Sequence, residues 1–132
     1  MVAGILLLLW NRGLLSLSPI VIVVQILAFF LMIWARVTFG GRSFHATASP
    51  TEGGLVTTGP YRYVRHPIYA AGLCIAWAGV FGNLSVLNVA FGFLTLAGAL
   101  ARIRCEETLV RVRYPEYDEY AKRTRRLIPF VF

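Results

Sequence analysis

Long uncharged stretches alternate with two charged blocks along the chain, and this alternation predicts its elements. Residues 2–10 (VAGILLLLW) are apolar but too few to cross a bilayer, because a helix rises 1.5 Å per residue and a span takes about 20 residues. The segment has the length of a signal-peptide core. It lacks the basic stretch before and the small-residue cleavage site after, so residues 1–12 are expected to be an apolar stub of a longer first helix. Residues 13–35 carry no charge apart from their flanks and predict a transmembrane helix, with Pro19 near its start and Trp34 and Arg36 at the interface. From 36 to 66 the pattern breaks. Gly40-Gly41, Pro50, Gly53-Gly54 and Gly59-Pro60 are turn signals, while Phe39, Phe44, Val56, Tyr61 and Tyr63 argue for an ordered loop. Residues 67–101 are again uncharged. One helix of that length would be about 52 Å long, against a hydrocarbon core of about 30 Å. A helical hairpin turning near Gly79, Gly82 and Asn83 fits better, with arms somewhat short for a full span and a thinned bilayer or a shielded turn to compensate. Residues 102–132 start as a helix, break near Tyr114-Pro115 into a second short helix, and finish as an apolar tail. The fold expected is a single all-α integral membrane domain with about three to four transmembrane helices, including the C-terminal hairpin.

Composition sharpens this picture. The chain is 58% hydrophobic and 14% charged, where a soluble domain is about 45–50% apolar and 25% charged. Its net charge of +7 would ordinarily suggest nucleic acid, but nucleic acid needs no apolar spans. Basic loops beside membrane helices explain both features. The basic segments 36–66 and 102–132 flank the hairpin on one side, which should be cytosolic, in a bacterial inner membrane or an endoplasmic-reticulum-type membrane. Cys74 and Cys105 have no zinc-ligand spacing, so no metal site is expected.

Three local patterns carry candidate chemistry. The first is Gly59-Pro60-Tyr61-Arg62-Tyr63-Val64-Arg65-His66-Pro67-Ile68-Tyr69. Pro67 suits the first position of a helix and His66 its N-cap, where free N–H groups and the adjacent Arg65 would favour a carboxylate or phosphate. Arg62 and Arg65 would equally suit plain interfacial anchors. The second is Arg102-Ile103-Arg104-Cys105-Glu106-Glu107, in which Arg102 and Glu106 share a helix face. A surface ion pair would produce the same spacing. The third is Tyr114, Tyr117 and Tyr120, whose spacing suits interfacial packing. His45 is an isolated histidine in the turn-rich loop.

The run Leu55-Val56-Thr57-Thr58-Gly59-Pro60-Tyr61…Arg65-His66-Pro67-Ile68-Tyr69, followed by Glu106-Glu107 and Tyr117…Tyr120…Ile128-Pro129-Phe130, resembles the isoprenylcysteine carboxyl methyltransferase family and the related phospholipid methyltransferases. The likeness runs from about Trp34 to the C-terminus. It implies a multi-helix membrane enzyme that binds S-adenosylmethionine in a cytosol-facing pocket. Carried over by the motif, His66 and Tyr61 contact the cofactor, with Arg65 beside them. Leu55 and Val56 line its pocket, with Gly53 and Gly54 through their backbone. Glu106 also serves the cofactor, and Arg102 holds the substrate carboxylate. The chain departs from the pattern at Ala71, where many relatives have glycine and here Gly72 follows, and in its short N-terminus.

The resemblance also implies a mechanism. Methyl transfer from a sulfonium is a direct displacement that depends on alignment. A carboxylate acceptor is already ionised at neutral pH, and Arg102 would orient it through a bidentate contact. Glu106 would accept hydrogen bonds from the cofactor's amino group or ribose, Tyr61 would stack on the adenine or face the sulfonium, and His66 would help bind the methionine carboxylate. An amine acceptor would have to be neutral, with Glu107 the nearest base. The expected acceptor is lipophilic and reached from the bilayer, most readily the carboxylate of an isoprenylcysteine-like substrate. The alternatives are a phospholipid amine N-methyltransferase, a membrane reductase using a nicotinamide cofactor, and a non-catalytic lipid-binding membrane protein. The expected partners are thus a lipophilic or lipidated substrate and membrane lipids, without nucleic acid, and no pattern specifies an oligomeric state.

Overall fold

A computed structural model describes residues 1–40 and 54–129. Among these residues there are five α-helices and no named strand: α1 (Val2–Trp10), α2 (Pro19–Phe39), α3 (Pro67–Gly82), α4 (Val86–Arg113) and α5 (Tyr117–Arg123), with a 3₁₀ turn at Gly59–Arg62. α2 and α4 are long and apolar enough to cross a membrane, and α3 is a shorter apolar helix of 16 residues. The chain divides into two compact units, Met1–Phe30 with Ala71–Ala101, and Leu31–Ala70 with Arg102–Phe132.

Several boundaries depart from the expectations. Residues 2–10 are a complete short helix, closed by backbone bonds from Asn11 to Leu7 and from Gly13 to Leu8, with Arg12 at a positive φ of 53°. α2 starts at Pro19 rather than 13, because the residue before a proline is driven out of helical conformation. It then runs past Arg36 to Phe39, since a long basic side chain at an interface does not interrupt a helix. The second hairpin arm likewise continues through the first charged residues to Arg113, two residues before Pro115. Charge marks an interface, whereas proline and glycine mark helix ends.

In the first unit, Leu8 of α1 is fully buried with Ala76 and Val80 of α3, and Leu14, Trp77, Val89 and Phe91 pack around them. The connector from α1 to α2 is threaded against the hairpin turn. A Cβ added at Gly79 would lie 2.3 Å from the Leu14 carbonyl oxygen, so only glycine allows this approach. Amide side chains satisfy the backbone there. Asn11 donates to Asn88 Oδ1 at 2.8 Å, Asn88 donates to the Asn83 carbonyl at 2.6 Å, and Asn83 donates to the Leu15 carbonyl at 2.8 Å. Gln25 donates to the carbonyls of Leu14 and Ile75, at 2.7 and 3.2 Å. The hairpin turn is thus shielded by the chain itself, as its short first arm of about 24 Å requires in an apolar medium.

Candidate active site

The second unit brings the R-H-P motif and the paired glutamates together. Its framework begins at Gly59, whose positive φ of 56° and closeness to Thr38 (2.7 Å from an added Cβ to Oγ1) exclude other residues. The 3₁₀ turn that follows buries Tyr61 against Phe39, ring centres 5.5 Å apart. Tyr120 donates to the Tyr61 carbonyl at 2.7 Å, fastening the turn to α5. Beyond it the chain pairs with the segment after α5. Arg65 N–H donates to the Arg125 carbonyl at 2.7 Å, His66 N–H to the Arg126 carbonyl at 3.0 Å, and Arg125 N–H back to the Tyr63 carbonyl at 3.2 Å. α3 then starts at Pro67, and its first helical bond runs from Ala70 N–H to the His66 carbonyl, as expected for His66 at the N-cap.

Glu107 is the hub of the site. It is 2% exposed, yet four side-chain contacts satisfy it. Oε1 receives Arg65 Nε at 3.0 Å and His66 Nε2 at 3.3 Å, while Oε2 receives Arg126 Nε at 3.2 Å and Nη2 at 3.1 Å. Arg65 also donates through Nη1 to the carbonyls of Ala121 and Thr124, at 2.9 and 2.7 Å, capping the end of α5. Burying this much charge is tolerable only because every formal charge has an opposite at bonding distance.

Glu106, the other member of the pair, faces a different set. Its Oε1 accepts from the Tyr69 hydroxyl and from Arg102 Nε at 3.1 Å. Its Oε2 lies 3.9 Å from His66 Nδ1, beyond hydrogen-bonding distance. Tyr69 stands one turn along α3 from His66, with the two rings edge to face at 5.8 Å. Tyr117 is 4% exposed beneath the glutamates, and its hydroxyl has no hydrogen-bond partner at bonding distance. Burial, reinforced by nearby Glu107, nevertheless pushes that hydroxyl well above the ordinary tyrosine range. Burial does the same at Tyr61, and raises Tyr120 from 10.0 to about 12.

Of the residues singled out in the sequence, Arg65, His66, Arg102 and Glu106 converge on this network, and Tyr61 stands in its framework. Leu55 and Val56 are half-buried in irregular chain leading to the 3₁₀ turn, Gly54 is exposed beside them, and Gly53 and His45 lie outside the described residues. Of the other residues in the network, Tyr69 stands in the sequence motif without a role, Tyr120 reads there as interfacial packing, and Thr124 and Arg126 are not singled out. Tyr69 was within reach, because His66 and Tyr69 are three apart at a helix start and so share a face. Nothing local marks Arg126 as the second partner of Glu107.

The family model for phospholipid methyltransferase matches residues 20–117, a span that includes Tyr61, His66, Tyr69, Arg102 and both glutamates. The chain belongs to the phospholipid methyltransferase family. Family membership makes it membrane-associated, in keeping with its two long apolar helices. Thr124, Arg125 and Arg126 lie beyond the matched residues, so the family pattern by itself did not point to them. Among curated proteins, the chain is 36% identical over 100 residues to the nickel-cobalt-cadmium resistance protein NccN of Alcaligenes xylosoxydans xylosoxydans, covering 74% of this chain and 42% of that one. It is 39% identical over 80 residues to the cobalt-zinc-cadmium resistance protein CzcN of Cupriavidus metallidurans, covering 57% and 35%. It is 32% identical over 72 residues to the methanethiol S-methyltransferase of Crocosphaera subtropica, covering 54% and 28%. The chain therefore spans less than half the length of these relatives. No solved structure matches it.

Proposed function

We propose that this protein transfers a methyl group from S-adenosylmethionine to a lipophilic acceptor, with the site of the second unit facing the cytosol. The observation that carries this reading is the convergence of His66 and Glu106, from distant parts of a family-matched segment, with polar atoms 3.9 Å apart and not spent on each other. The residues fit the cofactor by the chemistry of their donor and acceptor sets. Glu106 is acceptor-only and suits amine and ribose hydroxyl groups, and His66 adds a second polar contact. Tyr61, 5% exposed and packed on Phe39, stands in the frame from which His66 follows, with Leu55 and Val56 half-buried in the chain before it. Arg65 acts by holding this frame rather than by touching ligand, because its Nε and Nη1 are committed to Glu107 and to the end of α5. When bound, the sulfonium supplies an activated methyl group. The protein's task is to align it with the acceptor and exclude water.

Arg102 is fixed by its contact with Glu106 at the edge of the site, 38% exposed at its side chain, and is the group that would orient an acceptor carboxylate. A thiol acceptor is the second reading, favoured by the similarity to a methanethiol S-methyltransferase. A lipid amine is a third, in line with the family's description.

Calorimetric titration of detergent-purified protein with S-adenosylhomocysteine, beside Glu106→Gln and His66→Ala, tests the cofactor. Saturable binding weakened about tenfold or more in each variant is expected. Unchanged affinity in both variants would sink the site. Transfer of labelled methyl to an isoprenylcysteine carboxylate, an alkanethiol and a phospholipid amine then ranks the acceptors.

A further inference from the structure

We infer that Glu107 is a positioning residue that fixes His66 as its Nε2–H tautomer, so that His66 Nδ1 and Glu106 Oε2 together present two acceptors to a hydrogen-bond donor on the ligand, such as a protonated amine. The inference rests on the proposed cofactor site for its ligand half alone. Two guanidinium groups, of Arg65 and Arg126, hold Glu107 as a carboxylate, which can accept but not donate. Its Oε1 lies 3.3 Å from His66 Nε2. The opposite tautomer would set a lone pair of Nε2 against a carboxylate oxygen, so of the two tautomers the contact selects the one with its proton on Nε2 and its lone pair at Nδ1. That atom stands 3.9 Å from Glu106 Oε2. Oε1 of Glu106 is taken by Tyr69 and Arg102, which leaves Oε2 as the oxygen turned toward the ring.

The space between Nδ1 and Oε2 is therefore bordered by two acceptors. A carboxylate placed there would meet Glu106 with like charge, and neither bordering atom could donate to it. A protonated amine satisfies both at once. His66 is thereby assigned to the cationic end of the cofactor's amino acid, in place of the carboxylate that its helix N-cap position alone suggests. The arrangement is over-determined. Pairing of the His66 backbone with Arg126 holds the imidazole in place, and the Arg126 side chain fixes the far oxygen of the same glutamate.

The test is ¹⁵N NMR of histidine-labelled full-length protein in detergent, with a His45→Gln variant to assign the two ring systems. The expected result is a His66 ring protonated at Nε2 and bare at Nδ1, in the absence of any ligand. Glu107→Gln should convert this single form into a mixture, because an amide offers both a donor and an acceptor. A wild-type ring that carries a proton on Nδ1, with or without one on Nε2, overturns the proposal, as does a ring unaltered by Glu107→Gln. Should that variant fail to fold, the wild-type spectrum decides. The ligand half is read by titrating S-adenosylhomocysteine against its analogue lacking the α-amino group. Wild type should prefer the parent about tenfold, and His66→Ala should erase that preference. A preference that survives in His66→Ala overturns the assignment of the amine. Failure of both ligands to bind at all would reject the cofactor while leaving the tautomer to its own measurement.

Discussion

Tyr117 shows how much a single position can reveal. Its ring is buried between the edge of Tyr120, at 6.0 Å, and the guanidinium of Arg111, at 5.6 Å, while its hydroxyl finds no partner. A buried hydroxyl left unsatisfied costs about 1–3 kcal/mol. Tyr117→Phe keeps the ring and removes that cost, so thermal unfolding in detergent should show the variant at least as stable as wild type. A clear loss of stability would mean that the hydroxyl is bonded after all. The raised hydroxyls of Tyr61, Tyr117 and Tyr120 make a second prediction. Their protonated forms are favoured in the folded protein, so the stability they contribute is complete below pH 10.0 and is lost as pH climbs toward and past about 12. Ultraviolet titration of tyrosinate should show these three groups ionising above the ordinary tyrosine range, and unfolding should accompany their ionisation. At this scale the sequence was informative where chemistry is local. His66 before Pro67 announced an N-cap, and Arg102 with Glu106 announced a helix-face pair. It was silent where chemistry is distant. Glu107 could be weighed only as a base, because its partners Arg65 and Arg126 come from positions 42 before and 19 after it.

Among the elements, the hairpin carries the sharpest consequence. α3 has 16 residues, about 24 Å, and ends at a turn covered by residues 11–16. Gly79 makes that cover possible, since its missing Cβ is occupied by the Leu14 carbonyl. Gly79→Ala should therefore lower stability by about 1–3 kcal/mol, because backbone cannot yield as a side-chain tip can. Thermal unfolding beside Gly40→Ala would separate this from a general glycine effect, since an added Cβ at Gly40 meets nothing, although its positive φ of 70° adds backbone strain. A Gly79→Ala variant no less stable than wild type would argue against the close threading. The hairpin and its break near Gly82-Asn83 were legible because uncharged length and turn residues are written locally. The cover was not. It depends on amides at Asn11, Gln25, Asn83 and Asn88, which in a sequence look like ordinary polar interruptions and acquire meaning only once their carbonyl partners are known.

For the whole molecule, the distribution of charge governs placement. The basic residues from Arg102 onward and those between Arg36 and Pro67 should lie on the cytosolic side if the site faces the cytosol. The two cysteines report on this. Cys105 is exposed beside Glu106, at the charged end of α4, whereas Cys74 is exposed on the apolar α3. A membrane-impermeant maleimide should label Cys105 in inside-out vesicles and leave Cys74 untouched from either face. Labelling of Cys105 only in right-side-out vesicles would reverse the orientation.

The hydrogen bonds from Arg65 to the end of α5 close a separation of 59 residues. At a ribosome adding about 5–20 residues per second, the motif at 61–69 is made several seconds before its anchor. Through that interval the nascent chain holds His66 without its orienting carboxylate and Arg65 without its counter-charge. The network around His66 thus closes in a single late event, when residues 120–126 emerge and pair with Tyr63, Arg65 and His66.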